Sequence, residues 1–139
     1  MRSFSICTQV LRDRVRLSPS LLLFSRMSSS SSKSLTKFVV YAPDKEGTLD
    51  LRYQVRQRHL DGIVPTVKSG VMKLGGMMVD PESDVNLPQK KAIGSLVIYE
   101  AESVEQVKRM VETDIYYTSG VWDQEKLVIC PFFAATPWP

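Results

Sequence analysis

The chain contains a single histidine, His59, in the stretch Leu51-Arg52-Tyr53-Gln54-Val55-Arg56-Gln57-Arg58-His59-Leu60, which reads as a helix with the imidazole at the edge of its apolar face. Imidazole has an unperturbed pKa of about 6.5, so it gains and loses protons near neutral pH. His59 is therefore the first candidate for proton-transfer chemistry, and Asp114, far along the chain, is its candidate partner. A carboxylate bonded to one ring nitrogen would fix the tautomer, leave the other nitrogen as base and stabilise the imidazolium formed after proton abstraction. Arg56, three residues before His59, falls on the same helical face and could hold an anionic substrate group through its planar fork. The plainer reading is a solvated charge, or an ion pair with Asp50 or Glu46. Tyr116, Tyr117 and Trp122 could line a pocket for a flat ligand, with ordinary core packing as the simpler account. Nothing around Ser119 resembles a nucleophile elbow, so serine catalysis is not expected.

Positioning these groups requires a fold, and the pattern supplies one. Phe38 to Ala42 is β-branched and aromatic, closed by Pro43 and an acidic turn, and reads as strand one. Asp50 is expected to cap a helix carrying Leu51, Val55, Leu60, Ile63, Val64 and Val67, kinked or shortened by Pro65 and ended by Gly70. Strand two follows over Val71 to Val79, where Met72, Met77 and Met78 read as packing and Gly75-Gly76 as a bulge or a close approach to ligand. Asp80 to Ala92 is a loop long enough to cover or border a pocket. Strand three spans Ile93 to Tyr99; Ser103 with Gln106 gives a capping box for a second helix ending near Thr113 and Asp114; Leu127 to Phe133 forms the last strand, with Pro131 pointing to an edge. The order βαββαβ predicts an α+β, ferredoxin-like domain: a four-stranded antiparallel sheet with two helices on one face.

The chain has 139 residues and 43% hydrophobic content, which suits one compact domain. Residues 1 to 37 hold seven basic groups against Asp13 alone. Removing them from 18 basic and 15 acidic residues leaves 11 against 14, so the body carries −3. A body without a basic stripe argues against nucleic acid as a partner. The leader, residues 1–36, is rich in arginine and serine and reads as a mitochondrial transit peptide with a linker, a cytoplasmic protein with a tail being the alternative; residues 37–139 form the domain. No run approaches the roughly 18 apolar residues of a membrane span. Cys7 lies in the leader, leaving Cys130 alone in the body, which excludes an intrachain disulfide there; with one histidine besides, neither metal nor other cofactor is expected.

Leu96, Val97, Ile98 and Tyr99 are consecutive, so strand three turns apolar groups to both faces although helices can cover only one. A second copy packed sheet to sheet is the economical cover, giving a homodimer.

Val39-Val40-Tyr41-Ala42, Arg56-Gln57-Arg58-His59-Leu60, Asp114-Ile115-Tyr116, Ser119-Gly120-Val121 and Val128-Ile129-Cys130-Pro131-Phe132 occur in an order that resembles the YCII-related domain family over roughly Lys37 to Phe133. The resemblance implies a dimeric α/β barrel built on the ferredoxin-like fold, with a site made of a helix histidine and an aspartate after the second helix, matching His59 and Asp114. This chain departs in having Ile115 where the family often has proline, and Gly75-Gly76 where it has Gly-Pro. Two functions are compatible. One is a lyase, isomerase or hydrolase of a small organic molecule, using His59 and Asp114 for general acid/base catalysis with Arg56 and Tyr116 binding substrate. The other is a non-catalytic dimeric module that binds a small ligand or a partner protein.

Overall fold

A computed structural model describes residues 34–138. The transit-peptide reading and Cys7 therefore lie outside the described residues. Strand β1 covers Thr36–Pro43, helix α1 Leu49–Lys68, strand β2 Met72–Val79 and strand β3 Ala92–Ala101; helix α2 (Val104–Glu112), a short α3 (Ile115–Thr118) and strand β4 (Val128–Pro131) complete the domain. The sheet order is β2-β3-β1-β4 and each neighbouring pair runs antiparallel. This is the ferredoxin-like arrangement that the alternating pattern predicts. Pro131 ends β4, which pairs only with β1, so its missing N–H falls on an edge strand.

Alternation along the strands decides what faces the helices. Phe38, Val40 and Ala42 of β1 stand opposite Tyr99, Val97 and Ser95 of β3, and all six are buried. Against them pack Val107 and Val111 of α2, each at most 1% exposed, and each contributes roughly 1.5–3 kcal/mol by leaving water. Ser103 caps α2 by accepting the N–H of Gln106. Gly94 sits where β3 crosses the end of β1: an added Cβ would lie 2.7 Å from the Ala42 carbonyl oxygen and 2.9 Å from the Pro43 Cα.

Several local expectations are corrected. Thr48, not Asp50, precedes the first turn of α1, and its hydroxyl donates to the carbonyls of Lys45 and Val121, tying the helix start to the residue before Trp122. Pro65 does not shorten α1, which continues to Lys68, two residues before Gly70. Proline has no N–H to give the carbonyl of Asp61, and Asp61 is exposed, so water can meet that carbonyl instead. The apolar stripe also differs: α1 buries Arg52 and Val55 while Val64 and Val67 stay exposed. Register shifts in β2 fall at Met72/Leu74 and Met78/Val79, so Gly75 and Gly76 lie in regular pairing between them rather than in a bulge. On the sheet face away from the helices, Tyr41, Leu74 and Val128 are 45%, 54% and 48% exposed. Beside them Lys37 and Lys73 both bond the carboxylate of Glu100, which holds it below the usual range.

Candidate active site

Two backbone devices bring the histidine and the aspartate together. His59 lies in the third turn of α1, and Asp114 is the second of the two residues between α2 and α3. Asp114 has extended backbone and its Oδ1 accepts the N–H of Tyr116 at 2.8 Å, so it is the N-cap of α3. A four-residue helix leaves too little periodicity to be read from sequence, but its cap does the aiming that a proline at position 115 would otherwise do. His59 Nδ1 lies 2.8 Å from Oδ1 and 2.9 Å from Oδ2 of Asp114. With both oxygens as acceptors, the neutral ring carries its hydrogen on Nδ1 and keeps a lone pair on Nε2, which makes no hydrogen bond among the described residues. The two side chains are 13% and 8% exposed, shielded without being sealed.

The imidazole is also fixed in plane. Its ring stacks on that of Tyr116 at 4.0 Å between centroids with an interplanar angle of 17°, and the Trp122 ring meets both edge-on. The guanidinium of Arg52, two turns before His59, lies 4.5 Å from the Tyr116 ring centre. Arg52 is 3% exposed and paired: Nη1 donates to Asp44 Oδ1 at 2.6 Å and Nη2 to Ser95 Oγ at 2.9 Å. Trp122 Nε1 donates to the same Ser95 oxygen at 3.3 Å. Arg52, Asp44 and Ser95 escaped the sequence reading. The available signal was the spacing 52, 55, 59, 63 on one helical face, where an arginine in a buried stripe demands partners.

His59 borders two clefts. One, of about 270 Å³, lies between α1 and the sheet and is lined by Arg52, Arg56, Met72, Met77, Ser95, Tyr116 and Trp122 among others, with Gly75 and Gly76 on its floor. The second, of about 370 Å³, opens between α1 and α2, with Arg58, Thr113 and Asp114 in its wall. Tyr99 and Ile63 border both. Burial, assisted by the Asp114 charge, pushes the Tyr99 phenol well above its ordinary range. Tyr116 is raised by burial too, against the opposing pull of Arg52 and Arg56. Arg56 stands exposed at the rim of the first cleft and forms no ion pair with Asp50 or Glu46. Met72 and Met77 line the cleft, whereas Tyr117 lines a separate groove. Residues 80–91 are not among those lining either cleft beside His59. Among the described residues no three His, Cys, Asp or Glu side chains gather as metal ligands.

A ferredoxin-like domain with a carboxylate-bonded imidazole set between its first helix and its sheet defines a class of small α+β proteins with a histidine–aspartate cleft. The chain belongs to the YCII-related domain family, whose model matches residues 36–132. It is 33% identical to fusaric acid biosynthesis protein 2 of Gibberella fujikuroi, over 70% of this chain and 93% of that protein. It is 34% identical to protein YciI of Escherichia coli O6:H1, over 68% of this chain and 94% of that one. Among solved structures it resembles 5-chloro-2-hydroxyhydroquinone dehydrochlorinase of Burkholderia phenoliruptrix, in complex with 2,5-dihydroxybenzoquinone. The TM-score is 0.61 at 25% identity, covering 70% of this chain and 93% of that one.

Proposed function

We propose that this protein is a small-molecule enzyme in which His59 and Asp114 transfer a proton by general acid/base catalysis, in a reaction of lyase, isomerase or hydrolase type. One observation carries the reading: Nδ1 of His59 is held by both oxygens of Asp114 while Nε2, beside a cleft, has no hydrogen-bond partner among the described residues. That is the arrangement a general base needs, with one nitrogen committed to orientation and the other to the substrate. Loss of HCl, the reaction named for the Burkholderia relative, also requires a proton to be taken from the substrate. Arg56 at the cleft rim binds an anionic group of the substrate, and Tyr116 forms the aromatic wall. No metal or other cofactor takes part.

The uncovered sheet face with Tyr41, Leu74 and Val128 supports a homodimer packed sheet to sheet. The basic leader supports delivery to mitochondria, where the protein would act on a small organic substrate without nucleic-acid or membrane partners. A non-catalytic ligand-binding module is the competing reading, favoured by the structural duty of Asp114 as a helix cap.

Purified protein screened against small hydroxylated and halogenated ring compounds, including 5-chloro-2-hydroxyhydroquinone, is expected to turn over at least one of them. His59→Ala is expected to abolish that turnover with the circular dichroism spectrum unchanged. Full activity of His59→Ala on the substrate so found would end the catalytic proposal.

A further inference from the structure

Ser95 lies on β3 opposite Ala42 and Met77, is 4% exposed, and borders the cleft between α1 and the sheet. A serine hydroxyl has two acceptor lone pairs and one hydrogen to give. Here Arg52 Nη2 and Trp122 Nε1 both donate to the oxygen, so its accepting capacity is filled. Its hydrogen has no acceptor among the described residues. The Nε–H of Arg52 is likewise buried and unpartnered among the described residues, as is the Oδ2 acceptor of Asp44, which lies outside the cleft wall. Buried donors are costly to leave unmet, and a ligand oxygen is the natural acceptor where they border a cleft.

The rest of the lining points the same way. Among the described residues the wall holds two guanidinium groups, Arg52 and Arg56, and no carboxylate. Asp44, which engages Arg52, stands outside the wall. Two donors pulling on Ser95 Oγ also polarise its O–H and make it a stronger donor. Tyr116 and Trp122 give flat apolar surface beside it, and a volume of about 270 Å³ suits a single-ring molecule.

We infer that Ser95 is the specificity-determining donor of this cleft, giving its hydroxyl hydrogen to an anionic oxygen (carboxylate, phenolate or enolate) of a planar, single-ring ligand. The inference rests on the cleft being the substrate site of the proposed function, and deepens it by naming the chemical class and the residue that selects it.

Benzoate and its neutral counterpart benzamide are suitable probes, titrated calorimetrically into the full-length protein. Benzoate is expected to bind at least tenfold more tightly than benzamide. Ser95→Ala is expected to cut that preference about tenfold, the usual scale for a hydrogen bond to a charged group. Ser95→Thr, which keeps the hydroxyl, is expected to retain it. If Ser95→Ala does not fold, Ser95→Cys keeps the volume with a weak donor and should show the same loss. Equal affinity for the two probes, binding of neither, or an unchanged preference in Ser95→Ala or Ser95→Cys overturns the inference. Because the readout is binding, the two proposals separate. Serine-dependent benzoate binding without His59-dependent turnover sinks only the catalytic reading, whereas His59-dependent turnover with serine-independent binding sinks only this one.

Discussion

Asp114 Oδ1 accepts two hydrogens at once, from Nδ1 of His59 and from the backbone of Tyr116, both at 2.8 Å. The imidazole is thus aimed by the same atom that starts α3, so the orientation of the base and the local backbone cannot be changed independently. Asp114→Asn is expected to keep a side-chain oxygen for the cap but to disturb the tautomer of His59. Turnover should fall by about 10²–10⁴-fold with only a slight change in melting temperature. Asp114→Ala should lose the same activity and also about 1 kcal/mol of stability from the missing cap, read by urea denaturation. An Asp114→Asn variant with full turnover would show that the carboxylate is structural only.

Arg52 and Asp44 form a buried pair, with side chains 4% and 6% exposed. Arg52→Met leaves the Asp44 carboxylate in the interior without its cation, and the expected loss is about 3–5 kcal/mol. Replacing both partners by apolar residues of similar volume should recover much of it. A single variant losing less than about 1 kcal/mol in urea would mean that water reaches Asp44.

Tyr99 adds a pH dependence on the alkaline side. Burial raises the folded phenol above its ordinary 10.0, so between that value and the raised one the folded protein holds a proton that the unfolded chain has lost. Stability from this group is complete below pH 10 and declines as the pH climbs beyond it. Melting temperature followed from pH 9 to pH 11.5 should fall less steeply in Tyr99→Phe than in the wild type.

Gly94 answers to space rather than to chemistry. Gly94→Ala forces a methyl against the Ala42 carbonyl and the Pro43 backbone, at a φ of 155° that other residues rarely adopt. A loss of about 1–3 kcal/mol is expected by chemical denaturation. The equivalent change at Gly62, whose added Cβ meets nothing within 4 Å, should be neutral or stabilising because that residue lies in a helix.

The sheet face supplies the test of assembly. Leu74→Glu combined with Val128→Glu places charge on two outward positions of β2 and β4. Sedimentation is expected to show a dimer for the wild type and a monomer for this variant. A monomeric wild type at micromolar concentration would remove the proposed homodimer.

Much of this architecture is legible in the chain. The β-branched run at Phe38, the capping box at Ser103 and the proline at 131 each mark an element by local stereochemistry, and the order of elements follows. What the sequence hides is long-range satisfaction. Arg52 looks like a surface arginine until Asp44, Ser95 and the Tyr116 ring close around it. The α3 cap is invisible because one turn has no period. Pro65 points to a shorter helix than the one that forms, because exposed Asp61 lets water meet the carbonyl that loses its donor. His59 and Asp114 are each conspicuous, yet their meeting depends on the crossing of α1 over the α2–α3 junction, which no local pattern encodes.

The indole that donates to Ser95 has an experimental use. Trp122 is one of only two tryptophans, and the other, Trp138, sits near the carboxyl terminus over Lys37. With Trp138→Phe, the remaining fluorophore borders the cleft itself, and its emission would register occupancy directly, giving an unlabelled optical readout for ligands that produce no turnover.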